Sequence, residues 1–267
     1  MIGVLLTSTC YYEGIDKPTF ADRVEELVKC IASIKEHIRA PYELIIADNS
    51  PKDRVPTERI LAFCPERTIF LRSTHNPGKD AGEATLIRDG IYLSRARGHT
   101  WTFKLTGRYF IDTDWRIDDG VAMLEKSGKK ILARLIGKPM RELTIAEGHP
   151  LMDGNRENGR LLGGIASQAF IADPAYLVRT GALQRDYLYR AIPWVNFEQS
   201  LRHAFDGLEI LHWPRLPIGG FAGNKSMGIP IQLLINASGN PLYDSADDYR
   251  DVPIVDISPL LGMDEKT

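Results

Sequence analysis

Short apolar runs alternate with segments of helical spacing through the first 105 residues, and this alternation constrains the fold more than any other feature. Residues 2–6 and 43–47 are largely apolar runs, typical of strands buried on both faces of a parallel sheet. Between them, apolar residues recur every three or four positions over 20–37, which predicts a helix. The pattern then repeats, with helices predicted at 57–63 and 81–97 and strands at 68–71 and 101–105. The sequence therefore predicts an α/β chain with an open, mostly parallel, doubly wound, Rossmann-like sheet.

The second half of the chain is less regular. Its periodicities predict strands at 130–136, 167–171 and 208–212, and helices at 174–181 and 196–205. From Gly219 onward the sequence is rich in Gly, Pro, Asn and Asp, which favours loops. There is no internal repeat, low-complexity tract or linker, so we expect residues 1–267 to form a single domain.

Charge and cysteine content exclude several classes of function. The 33 Lys and Arg residues nearly balance 35 Asp and Glu, so the net charge of −2 gives no electrostatic reason to expect a nucleic-acid partner. The three cysteines form no C-x-x-C pair and are expected to be small buried thiols in a reducing compartment.

The first residues lack the basic flank of a signal peptide, and no apolar run approaches the roughly 20 residues that span a bilayer. We expect a cytoplasmic protein without a transmembrane segment; peripheral contact with the inner membrane face stays open.

Polar residues follow the predicted strands at the points where they end: Thr7-Ser8, Asp48-Asn49, Asn76 to Gly78 and Thr106 to Arg108. In doubly wound sheets, ligands bind beyond the carboxyl ends of the strands. The sequence therefore predicts a ligand site at this edge.

Four segments in order carry a family resemblance: Asp48-Asn49-Ser50, the loop Asn76-Pro77-Gly78-Lys79, a helix ending Ala96-Arg97-Gly98, and the strand Trp101 to Leu105. Over roughly residues 1–115 the chain resembles the GT-A nucleotide-sugar glycosyltransferases. The resemblance implies that residues 1–115 bind a nucleoside-diphosphate sugar and that residues 116–267 form the acceptor side. It implies transfer of a hexosyl or related sugar to a hydroxyl of a glycan or glycolipid, with bacterial capsule or lipopolysaccharide assembly as the natural setting.

Two donor-side segments also have structural interpretations. The resemblance implies that Asp48 binds the nucleoside, but an aspartate there can equally cap its own turn. Lys79 and the start of the following helix suit a diphosphate, whereas Asp80 and Glu83 alone fit a capping box. On the resemblance we expect donor contacts from Thr7, Ser8, Asp48, Asn49, Lys79, Glu83, Lys104, Thr106 and Gly107.

The chain departs from the family where its members carry a metal-binding Asp-x-Asp, because Thr106 and Arg108 occupy those positions. Thr and Arg cannot hold a divalent cation as paired carboxylates do. A guanidinium can instead neutralise the leaving diphosphate directly, which makes Arg108 a candidate catalytic residue and favours no metal cofactor. The alternative is a Mn²⁺ or Mg²⁺ site at Asp112 and Asp114, if the strand continues that far. That segment also reads as a helix start capped by Asp or Thr, which we favour.

Glu198 is the candidate general base for an inverting transfer, with Trp194 and Phe197 as aromatic neighbours able to stack on an acceptor sugar. A first-turn glutamate favoured by the helix dipole is the alternative. Two rival functions remain open. One is a nucleotidyltransferase that makes an activated sugar, and the other is a non-catalytic module that binds nucleotide or carbohydrate.

Overall fold

The computed structural model describes residues 1–11, 20–51, 54–73, 79–111, 114–135, 164–189, 197–213 and 216–220. Within these residues, seven strands form one sheet: β1 (Ile2–Ser8), β2 (Tyr42–Asp48), β3 (Thr68–Arg72), β4 (Trp101–Thr106), β6 (Ile131–Leu135), β7 (Ile165–Ala172) and β8 (Ile210–His212). A separate antiparallel pair is formed by β5 (Tyr109–Ile111) and β9 (Ile218–Gly220).

The strand order in the main sheet is β3-β2-β1-β4-β7-β6-β8. The central strand β1 pairs in parallel with β2 and β4, so that Val4 lies opposite both Leu44 and Phe103. Strand β7 runs antiparallel to both of its neighbours, β4 and β6, while β8 is parallel to β6. The sheet is therefore mostly parallel, as predicted, with one reversed strand.

Helices cover both faces of this sheet: α1 (Phe20–Glu36), α2 (Thr57–Leu61), α3 (Lys79–Ala96), α4 (Ile117–Ser127), α5 (Pro174–Thr180) and α6 (Phe197–Ala204). Alternate residues of each strand belong to two separate apolar cores. Val4 and Leu6 pack with α1 and α4, whereas Leu5 packs with α3, α5 and α6. A strand that faces apolar layers on both sides must be apolar throughout, which explains the uninterrupted runs. The doubly wound arrangement is confirmed.

The start of α4 differs from the sequence interpretation. The helix begins at Ile117, and Arg116 is its N-cap residue, so the expected cap by Asp or Thr at 112–114 is wrong. The carboxylate of Asp119, three residues into the helix, accepts the Arg116 N–H at 3.1 Å, as the N3 residue of a capping box does. Asp114 itself is exposed.

No helix among the described residues is long and apolar enough to cross a membrane. Cys10 and Cys30 are buried, Cys64 is half-buried, and all three are free thiols.

Candidate active site

Lys104 is a fully buried cation at the carboxyl end of β4. Its neighbours Phe103 and Leu105 face the α1 side of the sheet, so Lys104 faces α3. Its ammonium donates to Glu83 Oε1 at 2.5 Å, to Thr106 Oγ1 at 2.8 Å and to the backbone carbonyl of Ser167. An ammonium has three N–H donors, and these three acceptors use all of them. Lys104 therefore has no N–H left for a ligand and orders the groups around it instead.

Glu83, on α3, accepts hydrogen bonds from side chains of two strands through a single oxygen. Its Oε1 accepts hydrogen bonds from Thr7 Oγ1 at 2.9 Å and Thr106 Oγ1 at 3.2 Å, in addition to the Lys104 ammonium. Burial alone would raise the pKa of Glu83, but Lys104 and the Thr7 hydroxyl outweigh it, and Arg108 adds to their effect, so the pKa lies below its usual range. Among the described residues, none donates to Oε2, and the side chain is 20% exposed. Glu83 thus presents one oxygen of an ionised carboxylate toward the edge of the sheet.

The depressed pKa of Glu83 predicts an acid-dependent loss of stability. Since its pKa is lower in the folded than in the unfolded state, the stabilisation is complete above about pH 4.5 and is lost as pH falls through the folded-state pKa. We expect Glu83→Gln to be less stable than wild type at pH 7 and to lose less of its free energy of unfolding between pH 5 and 3. Urea denaturation across this range measures both effects. The exposed Glu125→Gln should reproduce the wild-type profile, and an unchanged slope in Glu83→Gln would contradict the assignment.

Glu198 approaches the same cluster from the second half of the chain. It lies in the first turn of α6, half-buried, and its Oε1 accepts the Ser167 hydroxyl at 2.9 Å. Because β7 is reversed, its beginning lies at the carboxyl end of β4, so Ser167 joins Lys104 through its carbonyl and Glu198 through its hydroxyl. Phe197 is only 5% exposed and packs in the α3-side core. Trp194 lies outside the described residues.

The turn that carries Arg108 is held tightly against two elements. The Gly107 N–H donates to the Thr7 carbonyl at 2.8 Å. A Cβ on Gly107 would come within 2.8 Å of Leu27 Cδ1, so glycine permits the close approach of the turn to α1. Arg108 is half-buried, with its guanidinium carbon 5.5 Å from the ring centre of Tyr109, and it is near enough to Glu83 to help lower its pKa. The turn therefore places a permanent positive charge at the cluster.

Asp48 is engaged by the protein backbone. It is fully buried, and its two oxygens accept the Ser50 N–H at 2.8 Å and the Cys10 N–H at 3.2 Å. Its neighbour Asn49 accepts the Thr9 hydroxyl at 2.7 Å through Oδ1. These bonds fix the segments after β1 and β2 against each other and match the turn-capping interpretation. Nucleoside binding by Asp48 stays a prediction.

The other predicted residues are less fully placed. Ser8 lies at the end of β1 with its hydroxyl 3.2 Å from Cys10 Sγ. Lys79 is described only as the first residue of α3, and Asp112 and the loop 74–78 lie outside the described residues. Sequence reasoning missed Ser167; the available signal was a polar pair, Ser167-Gln168, inside an otherwise apolar strand.

Within the part of the chain that the structure describes, no set of carboxylates is free to hold a divalent cation at the Thr106–Arg108 turn. The Thr106 hydroxyl and Glu83 Oε1 both bind the Lys104 ammonium, whose charge would repel a metal ion at this point. In the described part of the chain, no three His, Cys, Asp or Glu side chains come together as a metal-binding group. The described residues at the Thr106–Arg108 turn therefore do not fit the metal of an Asp-x-Asp site, and the alternative site at Asp112 and Asp114 stays a prediction because Asp112 lies outside the described residues.

Comparison with known proteins leaves the family open. No family model matches the chain, and no curated protein matches its sequence. Similar solved structures include a 4-diphosphocytidyl-2C-methyl-D-erythritol synthase from Anaerococcus prevotii, with 14% identity, a TM-score of 0.45, and coverage of 79% of this chain and 86% of that one. Mouse xyloside xylosyltransferase 1 in its apo form shares 12% identity at a TM-score of 0.42, covering 79% and 84% of the two chains. The Mn/GDP form of core-mannan synthase A from Aspergillus fumigatus shares 8% at 0.48, covering 82% and 73%. These TM-scores are below 0.5, so the likeness assigns no function, and only the residues of the site can indicate one.

Proposed function

We propose that this protein transfers a sugar from a nucleoside-diphosphate sugar to a hydroxyl of a glycan or glycolipid, with a guanidinium in place of a metal ion. The observation that carries the proposal is the cluster at the carboxyl ends of β1 and β4. There, the buried Lys104 ammonium orders the Glu83 carboxylate, and Arg108 and Glu198 supply further charges of opposite sign. Ligands of doubly wound sheets bind at this edge.

Arg108 is proposed to stabilise the leaving group. When the bond between the anomeric carbon and the diphosphate oxygen breaks, negative charge grows on the diphosphate. A guanidinium stays protonated at any physiological pH and donates two parallel N–H groups to phosphate oxygens. Held by the rigid turn at Gly107, Arg108 meets this charge without reorganising, the condition under which electrostatic stabilisation is most effective.

Glu198 is proposed as the general base of an inverting transfer. It accepts the proton of the acceptor hydroxyl as that oxygen forms its bond to the anomeric carbon and the diphosphate departs. The Ser167 hydroxyl, donating to Oε1 at 2.9 Å, orients the carboxylate and leaves Oε2 for the acceptor. Glu83 Oε2, on an ionised carboxylate whose other oxygen is fully engaged, suits a hydroxyl of the donor sugar.

Thermal-shift measurements against a set of nucleoside-diphosphate sugars, each with Mn²⁺ or with EDTA, test the proposal. We expect at least one nucleotide sugar to raise the melting temperature equally in both conditions. A shift that EDTA abolishes would overturn the metal-free assignment. If no nucleotide sugar raises the melting temperature, the assignment as a nucleotide-sugar transferase is wrong. Pyrophosphate release from a nucleoside triphosphate and a sugar 1-phosphate would instead identify a nucleotidyltransferase.

Replacement of the base should separate catalysis from donor binding. For Glu198→Gln we expect kcat for release of the nucleoside diphosphate to fall about a hundredfold or more, the usual size of a general-base contribution. The Kd of the nucleotide sugar, measured by calorimetry, should stay within about threefold because Glu198 is assigned to the acceptor side. Glu125→Gln on the exposed face of α4 is the matched control. Donor affinity that falls while kcat is retained would contradict this role.

A further inference from the structure

The charge balance of the cluster requires a second cation beside Arg108. A diphosphate bears negative charge on both phosphoryl groups, and one guanidinium neutralises only part of it. The Lys104 charge is compensated by Glu83, and its N–H groups are all engaged, so it does not supply the difference. Besides Lys79, which is predicted to contact the diphosphate, an element that reaches the turn after β4 can supply further positive charge.

Helix α1 is that element. It packs directly on the turn, since Leu27 Cδ1 is the atom that a Cβ on Gly107 would meet first. The helix also contacts β5, where the Lys29 ammonium lies 3.8 Å from the ring centre of Phe110. Arg23 precedes Leu27 by four residues and therefore lies on the same face, one turn nearer the helix N-terminus.

The surroundings of Arg23 place it over the carboxyl edge of the sheet. Its side chain is only 22% exposed, and its Nε lies 4.0 Å from Glu26 Oε2, a long distance for an ion pair. Burial first, and then the positive charge of Arg108, lower the pKa of Arg23, while Tyr109 and Cys10 also lie within electrostatic range. Tyr109 begins β5 and Cys10 follows β1, so Arg23 lies between the segments that follow the two central strands.

Two guanidiniums brought together with partial burial repel each other, and the positive charge of Arg108 disfavours the charged form of the largely buried Arg23. An anion bound between them would remove the penalty and gain charge-assisted hydrogen bonds from both. We propose that Arg23 and Arg108 together form a diphosphate clamp, in which α1 supplies the second guanidinium. The proposal deepens the function proposed above and rests on it.

Calorimetric titration with inorganic pyrophosphate and with the nucleoside diphosphate of the responding sugar tests the clamp. We expect Arg23→Gln to weaken both ligands about tenfold or more, as expected for loss of one charge-assisted contact. Arg23→Lys should recover part of the affinity, because a lysine keeps the charge but not the paired N–H geometry. The corresponding nucleoside, which has no phosphate, should bind wild type and Arg23→Gln alike. Arg95→Gln, on the exposed face of α3, is the control.

Two results would overturn the clamp in distinguishable ways. If Arg23→Gln keeps wild-type affinity while Arg108→Gln loses it, the clamp is wrong and the proposed function stands. If wild type binds neither pyrophosphate nor any nucleoside diphosphate, the proposed function fails and the clamp fails with it. Circular dichroism and the melting temperature of Arg23→Gln show whether a loss of affinity reflects misfolding. If Arg23→Gln is misfolded, the affinity of Arg23→Lys tests the clamp instead: partial affinity supports it, and wild-type affinity contradicts it.

Discussion

Arg108→Ala should weaken nucleoside-diphosphate binding by about a hundredfold, the largest loss of ligand affinity we expect from any single substitution. In the proposed mechanism, truncation removes a bidentate cation from the diphosphate while the Glu83 and Glu198 carboxylates stay nearby. Loss of one member of a partly buried charge pair typically costs about 2–5 kcal/mol. Isothermal titration calorimetry at low and moderate salt provides the measurement. Affinity should become less sensitive to salt in the variant, because one cation no longer contributes.

The matched control is Arg95→Ala, since Arg95 is exposed on α3 away from the cluster. Arg108→Lys should retain part of the affinity through its charge. Wild-type affinity in Arg108→Ala would remove the central residue of the proposed mechanism. A loss that is the same for the nucleoside as for its diphosphate would show that Arg108 contacts the base or ribose instead.

Lys104→Met should cause the largest loss of stability. The substitution leaves Glu83 charged without its ion-pair partner, and it removes the donor to Thr106 and to the Ser167 carbonyl. Breaking a buried ion pair by removing one partner costs about 3–5 kcal/mol. In a chain of this size that corresponds to a fall in melting temperature of roughly 10 °C. Calorimetry or urea denaturation at pH 7 measures it.

A double variant distinguishes the ion pair from simple loss of packing. Lys104→Met combined with Glu83→Gln should be more stable than Lys104→Met alone, because the uncompensated charge is gone. Lys126→Met, in the exposed last turn of α4, should leave stability nearly unchanged. If the double variant is less stable than Lys104→Met, the ion pair is not the source of the effect.

The central strands were predictable from sequence for a simple reason. Strands β1 and β2 are buried on both faces, so their residues form nearly uninterrupted apolar runs that only a covered parallel sheet can use. Strand β4 is buried on both faces as well, but it alternates apolar and polar residues. Strands β5 and β9 have three residues each and pair only with each other across more than 100 positions, and runs that short carry no periodicity.

The site was only partly predictable. Lys104 stands out in sequence because a lysine inside an apolar strand needs a partner. That the partner is Glu83 follows from α3 packing over β4, which a capping-box pattern does not reveal. Ser167 could not be found without the strand order, because its contact with Lys104 depends on β7 being reversed. Asp48 fits ligand binding and turn capping equally well in sequence, and its contacts with Cys10 and Ser50 appear only when the chain is folded.

The reversed strand β7 also has a consequence for biosynthesis. As the chain leaves the ribosome, Lys104 emerges 63 residues before Ser167, which supplies the carbonyl that takes its third N–H. Glu198 follows Ser167 by another 31 residues. Until then, burial of Lys104 would leave one of its donors without an acceptor, which disfavours early closure of the sheet. We therefore expect a nascent chain or fragment that ends near residue 115 to stay unfolded, because the last acceptor of Lys104 comes from the second half of the chain.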